Sequence, residues 1–294
     1  MPDAAVMTLT GLYVPLITPF DVEGAVALTV LEALAHDVLD AGATGVVALG
    51  TTAEPASLTD GERRAVLDVV AGVCRARSAE LLVGANTAEA LTALRRRPEV
   101  TAALTLVPPF VRPGEAGVVA HFTALAAASP VPLVVYHVPY RTGQHLSADA
   151  LRRLAGLPGV AGVKYSAGGI DAETVELLAD PPKGFAVLGG DDVVISPLLA
   201  LGAHGGILAS AHLATARFAE LITLWRSGDA AGARALGHRL AALSAALFAE
   251  PNPTVVKAVL HARGRIPAPG VRLPLLPAGP ETLRRALRAA DAVV

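Results

Sequence analysis

The sequence predicts an α/β chain folded as a (β/α)₈ TIM barrel with additional C-terminal helices. Short apolar runs alternate with longer helical patterns eight times. The runs are apolar on both faces, as strands must be when a parallel sheet is covered on each side. After the eighth run the pattern is helical only. Strand followed by helix, repeated, makes a parallel sheet, and right-handed crossovers close eight such units into a barrel. A chain of 294 residues is long enough for that plan and an appendage. We place the barrel at 1–228 and the helical appendage at 229–294.

The first run, LYVPLI at 12–17, is expected as strand one, and TGVVAL at 44–49 as strand two. ELLVG at 80–84, AALTLV at 102–107 and VPLVVY at 131–136 continue the series. VAGVK at 160–164, FAVL at 185–188 and GGILA at 205–209 complete it. Each is short and rich in Val, Leu or Ala, the composition of a buried parallel strand. Between them, helical patterns fall at 28–41, 60–75, 88–96, 117–128, 148–154, 172–179 and 193–200. Thr59 followed by Glu62 reads as a capping box opening the second of these. Beyond the barrel, helices are expected at 217–226, 230–249, 254–262 and 281–290, interrupted by the proline-rich RIPAPGVRLPLLPAGP.

The composition is 53% hydrophobic but only 4% aromatic, so the core comes from many small aliphatic contacts. A net charge of −2 offers no basic surface for nucleic acid. The single cysteine, Cys74, leaves no internal disulfide and no thiol pair for a metal, and it reads as core packing. MPDAAVMTLTGLY lacks the charged segment and apolar stretch of a secretory leader, and no window approaches the roughly 18 apolar residues of a membrane span. A cytoplasmic protein without membrane partners is the expectation.

In this fold, active sites gather at the C-terminal ends of the strands. The polar residues there are Thr51, Thr52 and Glu54 after strand two, Tyr136 and Arg141 at strand five, Lys164 at strand six, and Asp191 and Asp192 after strand seven. The chain has 21 arginines and only three lysines, Lys164, Lys183 and Lys257. An ammonium can lose its proton and become a nucleophile, which a guanidinium does not. Lys164 is therefore read either as a strand-end salt-bridging lysine or as a Schiff-base lysine among Val, Ala and Gly. Lys183 in DPPKGF and Lys257 in TVVKAVL have ordinary surface and helix-packing readings.

Tyr136 ends its strand with a phenol able to move protons. Thr51 and Thr52 bring two hydroxyls and turn N–H groups that suit a carboxylate. The Arg141 fork suits a second carboxylate. Asp191 and Asp192 read as caps of the following helix. His137 alternates away from the Tyr136 face as a core residue. No histidine pair has metal-ligand spacing and GGDDVV is not a dinucleotide fingerprint, so neither a metal nor a cofactor is expected.

Six motifs occur in order: PLITPFDVEG, GTTAE at 50–54, YHVPYRTG at 136–143, GVK at 162–164, GGDD at 189–192 and NPTVVK. Together they resemble the dihydrodipicolinate synthase and N-acetylneuraminate lyase family across nearly the whole chain. The resemblance implies an imine between Lys164 and pyruvate or a related 2-oxo acid, with Tyr136 transferring protons. It implies that Thr51 joins the relay and that Thr52 helps to hold the pyruvate carboxylate. Arg141 resembles the residue that binds the carboxylate of aspartate semialdehyde in the synthase branch. Gly189 and Ile207 match pocket-lining positions. Phe110 falls where that branch has a relay tyrosine, and slow turnover with aspartate semialdehyde is the expected result. Ala53, Pro55, Tyr140 and Tyr165 are further departures, read as bordering the second-substrate region. A homo-oligomer, tetramer or dimer, is implied. A 2-keto-3-deoxy sugar acid aldolase or dehydratase and a non-catalytic 2-oxo acid binding barrel are the alternatives.

Overall fold

The computed structural model describes residues 8–293. Residues 1–7, which begin the segment read as leader-free, lie outside them. Eight strands close into one parallel barrel in sequence order. They are β1 Gly11–Pro15, β2 Gly45–Ala48, β3 Glu80–Gly84, β4 Val100–Leu106, β5 Leu133–His137, β6 Val160–Tyr165, β7 Ala186–Gly189 and β8 Gly205–Ile207. The barrel helices are α1 Leu28–Asp40, α2 Asp60–Arg77, α3 Ala88–Ala93, α4 Gly114–Ala128, α5 Pro139–Thr142, α6 Ala148–Ala155, α7 Ala172–Ala179, α8 Ile195–Ala200 and α9 Ala211–Ser227. Three more follow: α10 Ala230–Leu247, α11 Thr254–Ala262 and α12 Pro280–Asp291. Every expected strand is present, with ends shifted by at most two residues.

The alternation of side chains along a strand sorts the core into two clusters. Tyr13, Val47, Leu82, Leu104, Val134 and Ile207 fill the barrel interior. Their strand neighbours, such as Val14, Val46, Leu81, Val135 and Val163, face the helices. Each fully buried Val or Leu contributes about 1.5–3 kcal/mol. Closure between β8 and β1 needs glycine, because a Cβ on Gly205 would sit 2.0 Å from the Gly11 carbonyl oxygen.

The capping box at Thr59 and Glu62 forms as expected and starts α2. Cys74 is buried on that helix. The helix expected from residue 217 begins earlier, at Ala211, and Ala214 interrupts it with non-helical backbone angles. That kink breaks the apolar period, which is why only the part beyond it was readable. After the barrel, α10 packs on α8 and α9, and α12 packs on α10 and α11. Among the described residues no helix is long and apolar enough to cross a membrane.

Candidate active site

Strand pairing sets the centre of the site. Tyr136 on β5 is the register partner of Lys164 on β6, and each lies one residue before the end of its strand. The Lys164 amine lies 4.4 Å from the centre of the Tyr136 ring. Each residue is 7% exposed. Gly190 makes room for this lysine, since a Cβ there would fall 2.6 Å from Lys164 Cε and 2.2 Å from Ser166 Oγ.

Thr51 and Thr52 belong to a single 3₁₀ turn, Thr51–Ala53, which follows β2. The Thr18 hydroxyl donates to the Ala53 carbonyl at 2.8 Å, and Asn252 Nδ2 donates to Thr52 Oγ1 at 2.9 Å. Glu54 ends the turn with a left-handed backbone, φ 54° and ψ 42°. Its carboxylate meets the Lys257 amine at 2.8 Å, with the lysine side chain fully buried. Lys257 is thus no ordinary helix-packing residue. Helix α11 brings it under the threonine turn, a contact that neighbours in the sequence do not disclose.

A chamber of about 20 Å³ is bounded by Thr51, Thr52, Tyr136, Lys164 and Ile207, enough for about one water molecule. Tyr140, Arg141 and Asn252 also border it, and these three line a larger cavity of about 760 Å³. Its other walls include Leu49, Leu104, Leu106 and Leu273. The result is a small polar pocket at the amine beneath a wider, mostly apolar approach, with Arg141 at the junction.

Asp191 precedes the 3₁₀ turn Asp192–Val194 but makes no side-chain capping hydrogen bond to it. Asp191 Oδ2 accepts the Gly168 N–H at 2.7 Å, and Asp192 Oδ2 accepts the Ser210 N–H at 2.6 Å. They tie together the loops after β6, β7 and β8. Asp192 borders the small chamber, and burial pushes its carboxyl up to about 6.

Residues 8–292 match the model of the dihydrodipicolinate synthetase family. The chain belongs to that family. It is 36% identical over 96% of its length to the 4-hydroxy-tetrahydrodipicolinate synthase of Neisseria meningitidis serogroup B, covering 98% of that protein. It is 33% identical over 92% of its length to 4-hydroxy-tetrahydrodipicolinate synthase 2 of Clostridium acetobutylicum, covering 96% of it. The chloride-inhibited dihydrodipicolinate synthase of Acinetobacter baumannii, solved in complex with pyruvate, superimposes with a TM-score of 0.90 at 33% identity. That match covers 97% of this chain and all of the other.

Within this dihydrodipicolinate synthetase family barrel, Lys164, Tyr136, Thr51, Thr52, Ile207 and Arg141 converge on one chamber. Gly189 does not face it: a Cβ there would strike Ile195 and Leu198 in the helix layer. Strand alternation turns Gly189 outward, and its neighbour Gly190 takes the place beside Lys164. Phe110 stands on the surface, 88% exposed, in a left-handed conformation and away from both cavities. Tyr165 also faces outward, one residue past Lys164. It is 3% exposed, its hydroxyl lies 3.1 Å from Thr174 Oγ1, and burial pushes that phenol up to about 12. It does not border the second-substrate region.

Tyr140 does reach both cavities. Asn252, Asp192 and Gly190 were missed as site residues. Asn252 begins the NPTVVK motif, whose contact with Thr52 no local pattern discloses, and Asp192 carries the sequence signature of a cap. For Gly190 the only available signal was its place beside the aspartates.

Proposed function

We propose that the protein condenses pyruvate with an aldehyde through an imine on Lys164, and that aspartate semialdehyde is the acceptor. One observation carries this reading: a buried amine lies over the Tyr136 ring, at a chamber lined by Thr51 and Thr52. Relatives bearing the 4-hydroxy-tetrahydrodipicolinate synthase name support the acceptor.

The neutral Lys164 amine adds to C2 of pyruvate, and the carbinolamine loses water to give a protonated imine. The Tyr136 phenol gives and takes the protons of these steps, with Thr51 passing them on. Thr52 and the turn N–H groups hold the pyruvate carboxylate. The protonated imine withdraws electrons as C3 loses a proton, and the resulting enamine attacks the aldehyde carbon to form the new carbon–carbon bond. Arg141, at the junction of the small chamber and the wider cavity, holds the acceptor carboxylate.

Borohydride reduction with pyruvate, followed by peptide mass mapping, tests the imine. A reduced adduct on Lys164 is expected, and its absence removes the mechanism. A panel of aldehydes and 2-keto-3-deoxy sugar acids then tests the acceptor, with aspartate semialdehyde expected to give the highest kcat/KM. We further propose a homo-oligomer, dimer or tetramer. The exposed apolar side chains Phe110 and Val111, 88% and 75% exposed, support an interface, and sedimentation velocity measures it.

A further inference from the structure

Glu54 and Lys257 form an ion pair that none of the proposed bond-making steps uses. The Lys257 amine donates to Glu54 Oε1 at 2.8 Å, and the two side chains are 0% and 3% exposed. Glu54 Oε2 accepts the Arg272 backbone N–H at 2.9 Å. The amine also lies 4.0 Å from the centre of the Phe20 ring. Taking two ions out of water is expensive, and apolar residues of the same volume often give equal or greater stability. A buried pair at this location therefore asks for a positional role.

The backbone of Glu54 supplies one. A residue with a Cβ is held against its steric preference in the left-handed region, and such a conformation persists where its surroundings over-determine it. Here both carboxylate oxygens of Glu54 are engaged. The residue also ends the Thr51–Ala53 turn, its N–H donating to the Thr51 carbonyl at 3.2 Å. Anchoring the carboxylate therefore anchors the turn. The Arg272 guanidinium fastens the same region, donating to the Ser57 carbonyl at 3.0 Å and to Glu62 Oε2 at 2.8 Å.

We propose that Glu54 and Lys257 are positioning residues: their buried pair locks the left-handed Glu54 and so holds the Thr51–Ala53 turn, with Thr52 and the turn N–H groups in place to bind the 2-oxo acid carboxylate. The inference rests on the imine reading above. It also makes the segment after the barrel part of the site. Lys257 on α11, Arg272 beyond it and Asn252 before it all fasten this one turn.

The test measures pyruvate binding apart from the rest of turnover. Lys257→Met alone leaves Glu54 buried without its cation and is prone to misfold. The double variant Glu54→Gln/Lys257→Met removes both charges at similar volume, and Glu54→Gln alone is measured alongside it. Circular dichroism and thermal melts establish that each is folded at the assay temperature. The pyruvate concentration giving half-maximal borohydride trapping on Lys164 is then compared with wild type. In the double variant it should rise tenfold or more, and in Glu54→Gln severalfold. The KM for the aldehyde should stay within about twofold. A folded variant with unchanged half-saturation overturns this inference alone. A wild-type protein that gives no adduct overturns the imine reading and this inference with it.

Discussion

The Lys164 amine sits 4.4 Å from the centre of the Tyr136 ring, and the two residues are partners across the β5–β6 ladder. Their spacing is set by backbone hydrogen bonds between adjacent strands rather than by a loop. Groups mounted on such rigid elements hold their geometry better than groups on loops. In this barrel the proposed nucleophile and its proposed proton carrier are mounted so, whereas Arg141 comes from the short helix α5 and is exposed.

Replacing the proposed nucleophile, Lys164, gives the most direct prediction. Lys164→Arg keeps a cation on the strand but removes the attacking amine. Turnover should fall by roughly 10³-fold or more, and no borohydride adduct should map to residue 164. Retained activity would mean that another group forms the covalent link.

Tyr136→Phe preserves the ring beside the amine and removes only the hydroxyl. General acid–base catalysis contributes about 10²–10⁴-fold, so kcat should drop into that range while the Lys164 adduct still forms more slowly. Single-turnover trapping measured against steady-state turnover checks this. Equal rates for variant and wild type would assign the proton transfers to Thr51 or to water.

Arg141→Ala should act on the acceptor and spare pyruvate. A hydrogen bond to a charged group is worth about 1.5–3 kcal/mol, which corresponds to roughly 10- to 100-fold in kcat/KM for an acidic aldehyde. The KM for pyruvate should be nearly unchanged. An aldehyde lacking the carboxylate should be almost insensitive to the substitution.

Stability should fall in mild acid. Burial holds His137 and His212 down to about 4 from an ordinary value of 6.5. Between those values the unfolded chain binds protons that the folded chain refuses. Their contribution is therefore complete above pH 6.5 and is lost as pH falls through 4. Each histidine accounts for on the order of 3 kcal/mol. Asp192 has the opposite sign. Its carboxyl is raised from 3.8 to about 6, so the folded form binds the proton more tightly and gains stability over part of the same window. It offsets roughly one histidine and leaves a net loss. Thermal midpoints at pH 7 and pH 4.5 measure this. His137→Phe should reduce the difference, because neither ring nitrogen of His137 has a partner to lose.

The barrel was legible because short apolar runs and helical patterns are local. The runs at 12–17, 44–49 and 160–164 lie within one or two residues of β1, β2 and β6. The N-terminal part of α9 was not legible, because the break at Ala214 is a tertiary accommodation rather than a sequence signal. Among the site residues, Lys164, Tyr136 and the two threonines could be picked out because each polar group ends an apolar run. Gly189 was misassigned by one residue, and with side chains alternating at each step, one residue changes the face.

The sequence by itself determined the eightfold strand-helix order, the family and the residues that carry the amine, the phenol and the paired hydroxyls. These are matters of residue type, spacing and local period. Only the tertiary structure decided what surrounds them. It turned Tyr165 outward, left Phe110 on the surface, placed Asn252 on Thr52 and brought Lys257 onto Glu54 across 203 positions of chain. The physical reason is that such contacts arise when distant segments are packed together. An ion can remain in that interior only where the fold delivers its partner.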